Sequence, residues 1–399
     1  MKKNIVIRSG YLSMGGIAKV LVDVLQNLDK NKYRIFLFIE KDFGKDNIFL
    51  KDIPVEIKVY FLKSEKLIEK AKYYRSKKKN IFYKIRYNIQ MHLERKIEIE
   101  NLKKYLSEIE EEYGLVETFI DYDCGTNKYI EKINVKRKVA WAHISYAQLL
   151  KKKNKIIRFG IKLKKYDAIV NICEEMKNEM LAMYPFLKEK LKVCYNPFDF
   201  KKILELSENF DEIKNKGEKY CELLKDNYII AVSRLALEQK DYKTLIQGYK
   251  LYLKNGGKYK LYIVGDGPDK NKIYDMIGKE RLEKDIILLG QMKNPYIWMK
   301  NAKLFVHSSF YEGFGLVLVE AMICGKVVLS SDCPVGPTEI LSKENCGVLF
   351  KTGDQKDLAE KLLNLTNEDL SLYQEKIKSR IEEFKMKNVI KEYEKLIGE

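Results

Sequence analysis

Two acids eight positions apart, Glu312 and Glu320, stand in the stretch Y-E-G-F-G-L-V-L-V-E-A-M (311–322), which is otherwise dominated by glycine and apolar residues. Carboxylates accept paired hydrogen bonds from vicinal diols, so a ligand containing a ribose and a hexose would occupy both, one ring apiece. Cations precede them. Arg234 and Lys240 lie in S-R-L-A-L-E-Q-K-D, ahead of the helical pattern Y-K-T-L-I-Q-G-Y, and two cations beside a helix amino terminus suit a diphosphate. Gly265 and Gly267 in G-D-G-P-D permit close approach of the backbone to a ligand. The loop G-Q-M-K-N-P-Y, with Gln291, Asn294 and Pro295, is of a kind that holds a nucleobase edge through main-chain groups. Each feature has a plainer reading as a solvated cation, an ordinary turn or a paired glutamate. Their coincidence at successive strand ends favours a shared site.

The elements that must position these residues follow from the hydrophobic pattern. K-L-F-V-H-S-S (303–309) reads as a buried strand, and G-L-V-L-V-E-A-M-I-C-G as a buried helix ended by Gly325. Glu312 therefore falls on the turn at a strand's carboxyl end, and Glu320 in the helix that follows. In open α/β sheets that edge is where ligands bind. Along the whole chain, short apolar runs alternate with helical patterns, which predicts parallel sheets with crossover helices. Strands are expected at 4–8, 34–39, 56–61, 115–120, 137–142, 168–172 and 191–195, then at 228–233, 260–265, 286–289, 303–307, 327–330 and 347–350. These make two doubly wound sheets. The segment 200–226 is polar and helical in pattern, which places a domain boundary at Pro197 to Phe200. A long final helix, roughly 370–397, is expected to return to the first domain.

At 399 residues with 46% hydrophobic and 12% aromatic content, the chain suits two packed domains and not a disordered polymer. The net charge of +18 is lopsided, since residues 1–200 hold 42 basic and 26 acidic side chains. Such a field attracts nucleic acid, an anionic membrane or phosphorylated substrates, and does not by itself choose among them. Seven scattered cysteines without C-x-x-C pairs, and only three histidines, argue against a structural zinc site. The amino terminus enters a strand directly, and no run approaches 18 apolar residues, so a reducing, cytoplasmic location is expected.

In order and spacing, S-R-L-x-x-x-Q-K-D-Y-x-T-L-I, V-G-D-G-P, L-G-Q-x-x-N-P-Y, E-G-F-G-L-V-L-V-E-A-M and S-D-C-P-V-G-P-T-E-I-L resemble the nucleotide-sugar half of retaining family 4 glycosyltransferases of the GT-B fold. G-G-I-A-K-V-L-V-D-V-L near the start resembles that family's opening glycine loop, which extends the resemblance over nearly the whole chain. The resemblance implies two Rossmann-like domains facing a cleft: residues 1–199 for the acceptor, 200–375 for the nucleotide sugar, and a helix at 376–399 returning to the first. It implies that Glu312 holds hydroxyls of the donor hexose, with backbone amides from Gly313, Phe314, Gly315 and Leu316. Glu320 would hold the ribose, Arg234 and Lys240 the departing diphosphate, and Gly15 and Gly16 would close over the phosphates. The expected base is uracil, although adenine and guanine nucleotides also occur in the family. No cofactor or metal is expected, the nucleotide sugar being a co-substrate.

His143, in R-K-V-A-W-A-H-I-S-Y, ends a strand and is similar in position to a family histidine that contacts the transferred sugar; its alternative is a structural hydrogen-bonder. Asp121 and Asp123 form a D-x-D, a pattern that metal-dependent transferases of another fold use to hold a divalent cation and diphosphate; in this half, away from the nucleotide loops, a polar strand end or an acceptor contact is favoured over a metal site. Residues 62–104 carry 14 basic and 5 acidic side chains, and 149–165 carry eight basic and none acidic, with apolar residues between. Basic amphipathic segments suit an anionic membrane surface. The expected partners are thus a nucleotide-sugar donor, a glycan or lipid-linked glycan of the bacterial cell surface, and the inner membrane face; no nucleic acid is expected. Alternatives are a nucleotide-sugar hydrolase or epimerase and, in another class, a basic nucleic-acid binder.

Overall fold

The computed structural model describes residues 2–13, 15–125, 129–150 and 153–398. Lys151 and Lys152 of the predicted basic segment lie outside the described residues. Two compact units divide the chain: Met1–Ile172, Lys177–Pro197 and Ile390–Glu399 form the first, Cys173–Met176 and Phe198–Val389 the second.

In the first unit, runs such as I-V-I and I-F-L-F-I are apolar without alternation, the mark of strands covered on both faces. They form β1 (Lys3–Ser9), β2 (Tyr33–Lys41), β3 (Lys58–Lys63), β4 (Val116–Asp121), β5 (Arg137–Ala142), β6 (Ala168–Asn171) and β7 (Leu191–Val193). All pair in parallel, in the order β3-β2-β1-β4-β5-β6-β7. The order reverses between β1 and β4. The 33-residue helix Ile81–Tyr113 crosses from β3 to β4 and ends at Gly114, whose φ of 84° an L side chain would resist. Fully buried Trp141 stacks on Tyr393 at 4.2 Å between ring centroids, fastening the chain's last residues into this unit.

The second unit holds β8 (Tyr228–Val232), β9 (Lys260–Val264), β10 (Ile286–Gly290), β11 (Phe305–His307), β12 (Val328–Ser331) and β13 (Val348–Phe350), again parallel, in the order β10-β9-β8-β11-β12-β13. Its switch point lies between β8 and β11. Both predicted sheets are present, and strand ends agree within two residues. As expected, 200–226 contains helices and no strand: Phe200–Ser207, Asp211–Lys216 and Glu218–Leu223.

One expectation needs correction. The single final helix is two helices, Ser371–Glu382 and Met386–Gly398. The break has a backbone cause: the Phe198 N–H donates to the Phe384 carbonyl at 2.9 Å and the Met386 N–H to the Phe198 carbonyl at 3.0 Å, a strand-like exchange that a continuous helix forbids. Phe384 is fully buried there against Phe198 and Phe314. All seven cysteines are free, and no described helix is long and apolar enough to cross a membrane.

Candidate active site

At the second sheet's switch point, the loops after β8 and β11 face each other. Lys240 forms an antiparallel bridge with Ser309, and its ammonium, itself buried, donates to Glu312 Oε1. The same oxygen accepts from Ser309 Oγ at 2.7 Å and lies 2.9 Å from His307 Nε2, while Gln239 Nε2 donates to Oε2 at 3.3 Å. Glu312 is only 8% exposed. Burial would raise its pKa, but the Lys240 charge and the bonds from its partners outweigh this and hold it well below the usual carboxylate range. The pKa of His307 is also pushed down, by burial and by Lys240. The imidazole is therefore neutral near pH 7, and the anionic state of Glu312 rests on Lys240, not on an imidazolium. Nε2–H donating to Glu312 is the tautomer this geometry requires.

Glu320 lies on the buried helix Leu316–Ile323 and accepts from the Tyr296 hydroxyl at 3.1 Å. Gly315 caps that helix in the left-handed region at φ 93°, leaving the first-turn N–H groups aimed away from the helix. Arg234 sits exposed on the β8 loop, and no described carboxylate pairs with it. Lys240, Glu312, Glu320 and Arg234 thus lie on loops and a helix following β8 and β11, the strands flanking the switch point.

Other predicted residues turn out to have structural partners. A Cβ on Gly265 would fall 1.9 Å from the Ser233 carbonyl oxygen and one on Gly267 2.3 Å from that of Leu235. The close approach is therefore loop against loop, reinforced by Leu235 N–H to Asp266 O at 3.0 Å. Asn294 spends its side-chain amide on the Leu206 and Asn209 carbonyls, at 2.7 and 3.3 Å, and its oxygen on the Tyr296 N–H. The Asn294 side chain thus anchors the loop, and what the loop offers a base is its main chain, as expected from the sequence. Phe314 points into the core against Phe384, leaving only its backbone for a ligand. Pro295 precedes the helix Tyr296–Asn301, Gln291 is exposed, and Gly313 and Leu316 are part-exposed on either side of the helix start.

In the first unit, Gly15 and Gly16 begin the helix Gly16–Asn27. His143 follows β5, its ring 4.5 Å from that of Tyr122, and burial depresses it to about 3. The residue is neutral, with no partner for Nε2 among the described residues. Asp121 and Asp123 answer the fully buried Arg8: Asp123 bonds the guanidinium directly, Asp121 lies 3.6 Å from it, and the Tyr166 hydroxyl donates to Asp121 at 2.6 Å. Asp121 is fully buried, so of the two only Asp123 has any exposed surface to offer an acceptor. This site also straddles a switch point, between β1 and β4.

Sequence reasoning missed His307, Ser309, Gln239 and Tyr296. The signal was present in F-V-H-S-S: a histidine and a serine closing a buried strand, five and three residues before a buried acid, need a polar partner.

Residues 211–384 match the family model described as glycosyl transferases group 1. An uncharacterized glycosyltransferase of Methanocaldococcus jannaschii is 34% identical over 201 residues, 50% of this chain and 48% of that protein. The N-acetylgalactosamine-N,N'-diacetylbacillosaminyl-diphospho-undecaprenol 4-alpha-N-acetylgalactosaminyltransferase of Campylobacter jejuni is 28% identical over 224 residues, 55% and 57% of the two chains. The chain thus spans about half the length of these curated relatives. Among solved structures, the lipopolysaccharide outer core galactosyltransferase WaaB superposes with a TM-score of 0.71 at 21% identity over 99% of both chains, and Anabaena HepE with UDP at 0.73 and 16% over 100% of both. At such identities the likeness establishes the fold, which is the expected GT-B. Residues 211–384, which carry the Lys240–Glu312 pair and Glu320, are the part of the chain that matches the group 1 glycosyltransferases.

Proposed function

We propose that this chain transfers a sugar from a UDP-sugar to a glycan acceptor carried on a lipid, with retention of anomeric configuration, in the assembly of bacterial surface polysaccharide at the inner face of the cell membrane. The observation that carries the reading is the buried Lys240–Glu312 pair across the switch point of the second sheet, inside the segment that matches the family. Two relatives favour the finer points: the Campylobacter jejuni enzyme is named for a diphospho-undecaprenol substrate, and HepE was solved with UDP.

As the anomeric C–O bond breaks, negative charge grows on the diphosphate. Arg234, with no described acid to satisfy, and Lys240, fixed by Glu312, receive that charge; cations held in place beforehand cost no reorganisation at the moment of reaction. An ammonium has three donors, so binding Glu312 leaves Lys240 able to reach a phosphate oxygen. Glu312 orients hexose hydroxyls, Glu320 the ribose, and neutral His143 a further hydroxyl. The acceptor hydroxyl attacks the face the diphosphate leaves, and the departing phosphate oxygen takes its proton. Asp123 is the acid offered to the acceptor.

Turnover of a UDP-sugar labelled with carbon-13 at C1, with a lipid-linked glycan present, tests the reading by NMR. An α-linked product is expected. Rapid, complete donor consumption without acceptor would instead make the protein a nucleotide-sugar hydrolase.

A further inference from the structure

The helix Ile81–Tyr113 is inverted over its first half. Its inward face carries Gln90, Glu94 and Glu98, all buried, whereas Ile81, Phe82, Ile85, Ile89 and Leu93 are exposed, Ile81 by 67% and Ile89 by 63%. At 100° per residue these five side chains fall within one arc of about 120°. Soluble helices present the opposite pattern, and an exposed apolar stripe of this length marks an interaction surface.

The helix is held in this orientation. Lys63 bonds Glu98 at 2.8 Å, Tyr129 donates its hydroxyl to the same carboxylate, and the Asn101 amide donates to the Leu62 carbonyl at 2.9 Å. Rolling the isoleucines inward would break these buried bonds. Charge identifies the occupant. Residues 70–93, which span the turn K-K-K-N and the stripe, contain eight lysines and arginines and no acid. Arg86 borders one side of the arc, its guanidinium lying over the Phe82 ring at 4.3 Å, and Lys84 borders the other.

We infer that this stripe lies in the plane of an anionic bilayer, its isoleucines and Phe82 entering the acyl boundary while the flanking cations meet lipid phosphates. Apolar area edged by Lys and Arg is the physical signature of an interfacial helix. The inference rests on the membrane-bound reading proposed above and specifies which surface makes the contact. It assigns the docking role to this helix over the other basic helix, Lys153–Leu163, where Ile157 and Ile161 are also exposed.

Co-sedimentation of the full chain with phosphatidylglycerol–phosphatidylcholine vesicles, against phosphatidylcholine alone, tests it. Wild type is expected to bind the anionic vesicles, and I85E/I89E to lose roughly tenfold or more in partitioning, with its unfolding midpoint and its thermal shift with UDP unchanged. The control I157E/I161E is expected to keep most of the binding. Full binding by I85E/I89E, or loss confined to the control, overturns the assignment while leaving the membrane reading intact. Indifference of the wild type to vesicles overturns both, and the UDP shift, read on the same samples, judges the transferase reading separately. A wild-type dimer in sedimentation velocity that I85E/I89E breaks, without vesicle binding, would make a second copy of the chain the occupant.

Discussion

Replacing Lys240 by Met isolates the electrostatics of the site. The substitution keeps most of the side chain's bulk and leaves the Glu312 carboxylate, 8% exposed, without its cation. Removing one member of a buried ion pair costs about 3–5 kcal/mol. Three neutral donors remain, on Ser309, His307 and Gln239, so the lower end of that range is expected. The carboxylate can also escape by protonating, at about 1.4 kcal/mol for each pH unit above its ordinary pKa. In the wild type the depressed pKa of Glu312 gives stability that is complete above the unfolded value and is lost only as pH falls through the folded one. Without Lys240 the folded pKa rises above the unfolded value, and the resulting penalty grows as pH rises. Release of His307 from Lys240 acts in the same sense, since an imidazolium beside Glu312 would help the variant at low pH. The deficit is therefore expected to be about 3 kcal/mol at pH 7 and to shrink by up to ~2.7 kcal/mol at pH 5. The chain has two tryptophans, Trp141 in the first unit and Trp298 in the second, both buried. Urea unfolding followed by Trp298 fluorescence in a Trp141→Phe background thus reports the second unit. A deficit below about 1 kcal/mol at pH 7, or one equal at both pH values, would refute the reasoning. The double variant K240M/E312Q should recover much of the loss.

Two further outcomes follow from the same geometry. Glu320→Ala should weaken UDP binding by about tenfold or more, measured by calorimetry, whereas Glu312→Ala should bind UDP nearly as wild type does and lose sugar transfer; equal transfer in either variant would contradict the assigned roles. His143, depressed to about 3 by burial, stays neutral in the fold while an unfolded histidine protonates below about 6.5. Folding stability should therefore fall as pH drops from 6.5 toward 3, and His143→Gln should remove one proton's worth of that slope in urea titrations; an unchanged slope would show that His143 titrates freely.

Much of this architecture was legible because buried parallel strands leave a simple trace. Apolar runs such as Y-I-I-A-V and L-Y-I-V, bounded by glycine and polar turns, cannot be amphipathic helices, and their strand ends mark the loops that bear Arg234, Lys240 and Glu312. What the sequence hid was which polar atoms were already committed. Asn294 reads as a recognition residue, yet its neighbours in space, Leu206 and Asn209, are over eighty residues away in sequence. Gly265 and Gly267 signal a close approach without revealing that the approaching atom is a carbonyl of the adjacent loop. The broken final helix depends likewise on pairing between Phe198 and the residues around Phe384, a contact that periodicity does not register.

Hydrogen exchange with and without UDP tests the central claim most directly, because it reports where the nucleotide sits without assuming a sugar or an acceptor. The account predicts slowed exchange in 234–240, 291–296 and 312–320, the loops and helix start at the carboxyl edge of the second sheet, and loss of that slowing in Glu320→Ala. Unchanged exchange in these three segments at saturating UDP would contradict it.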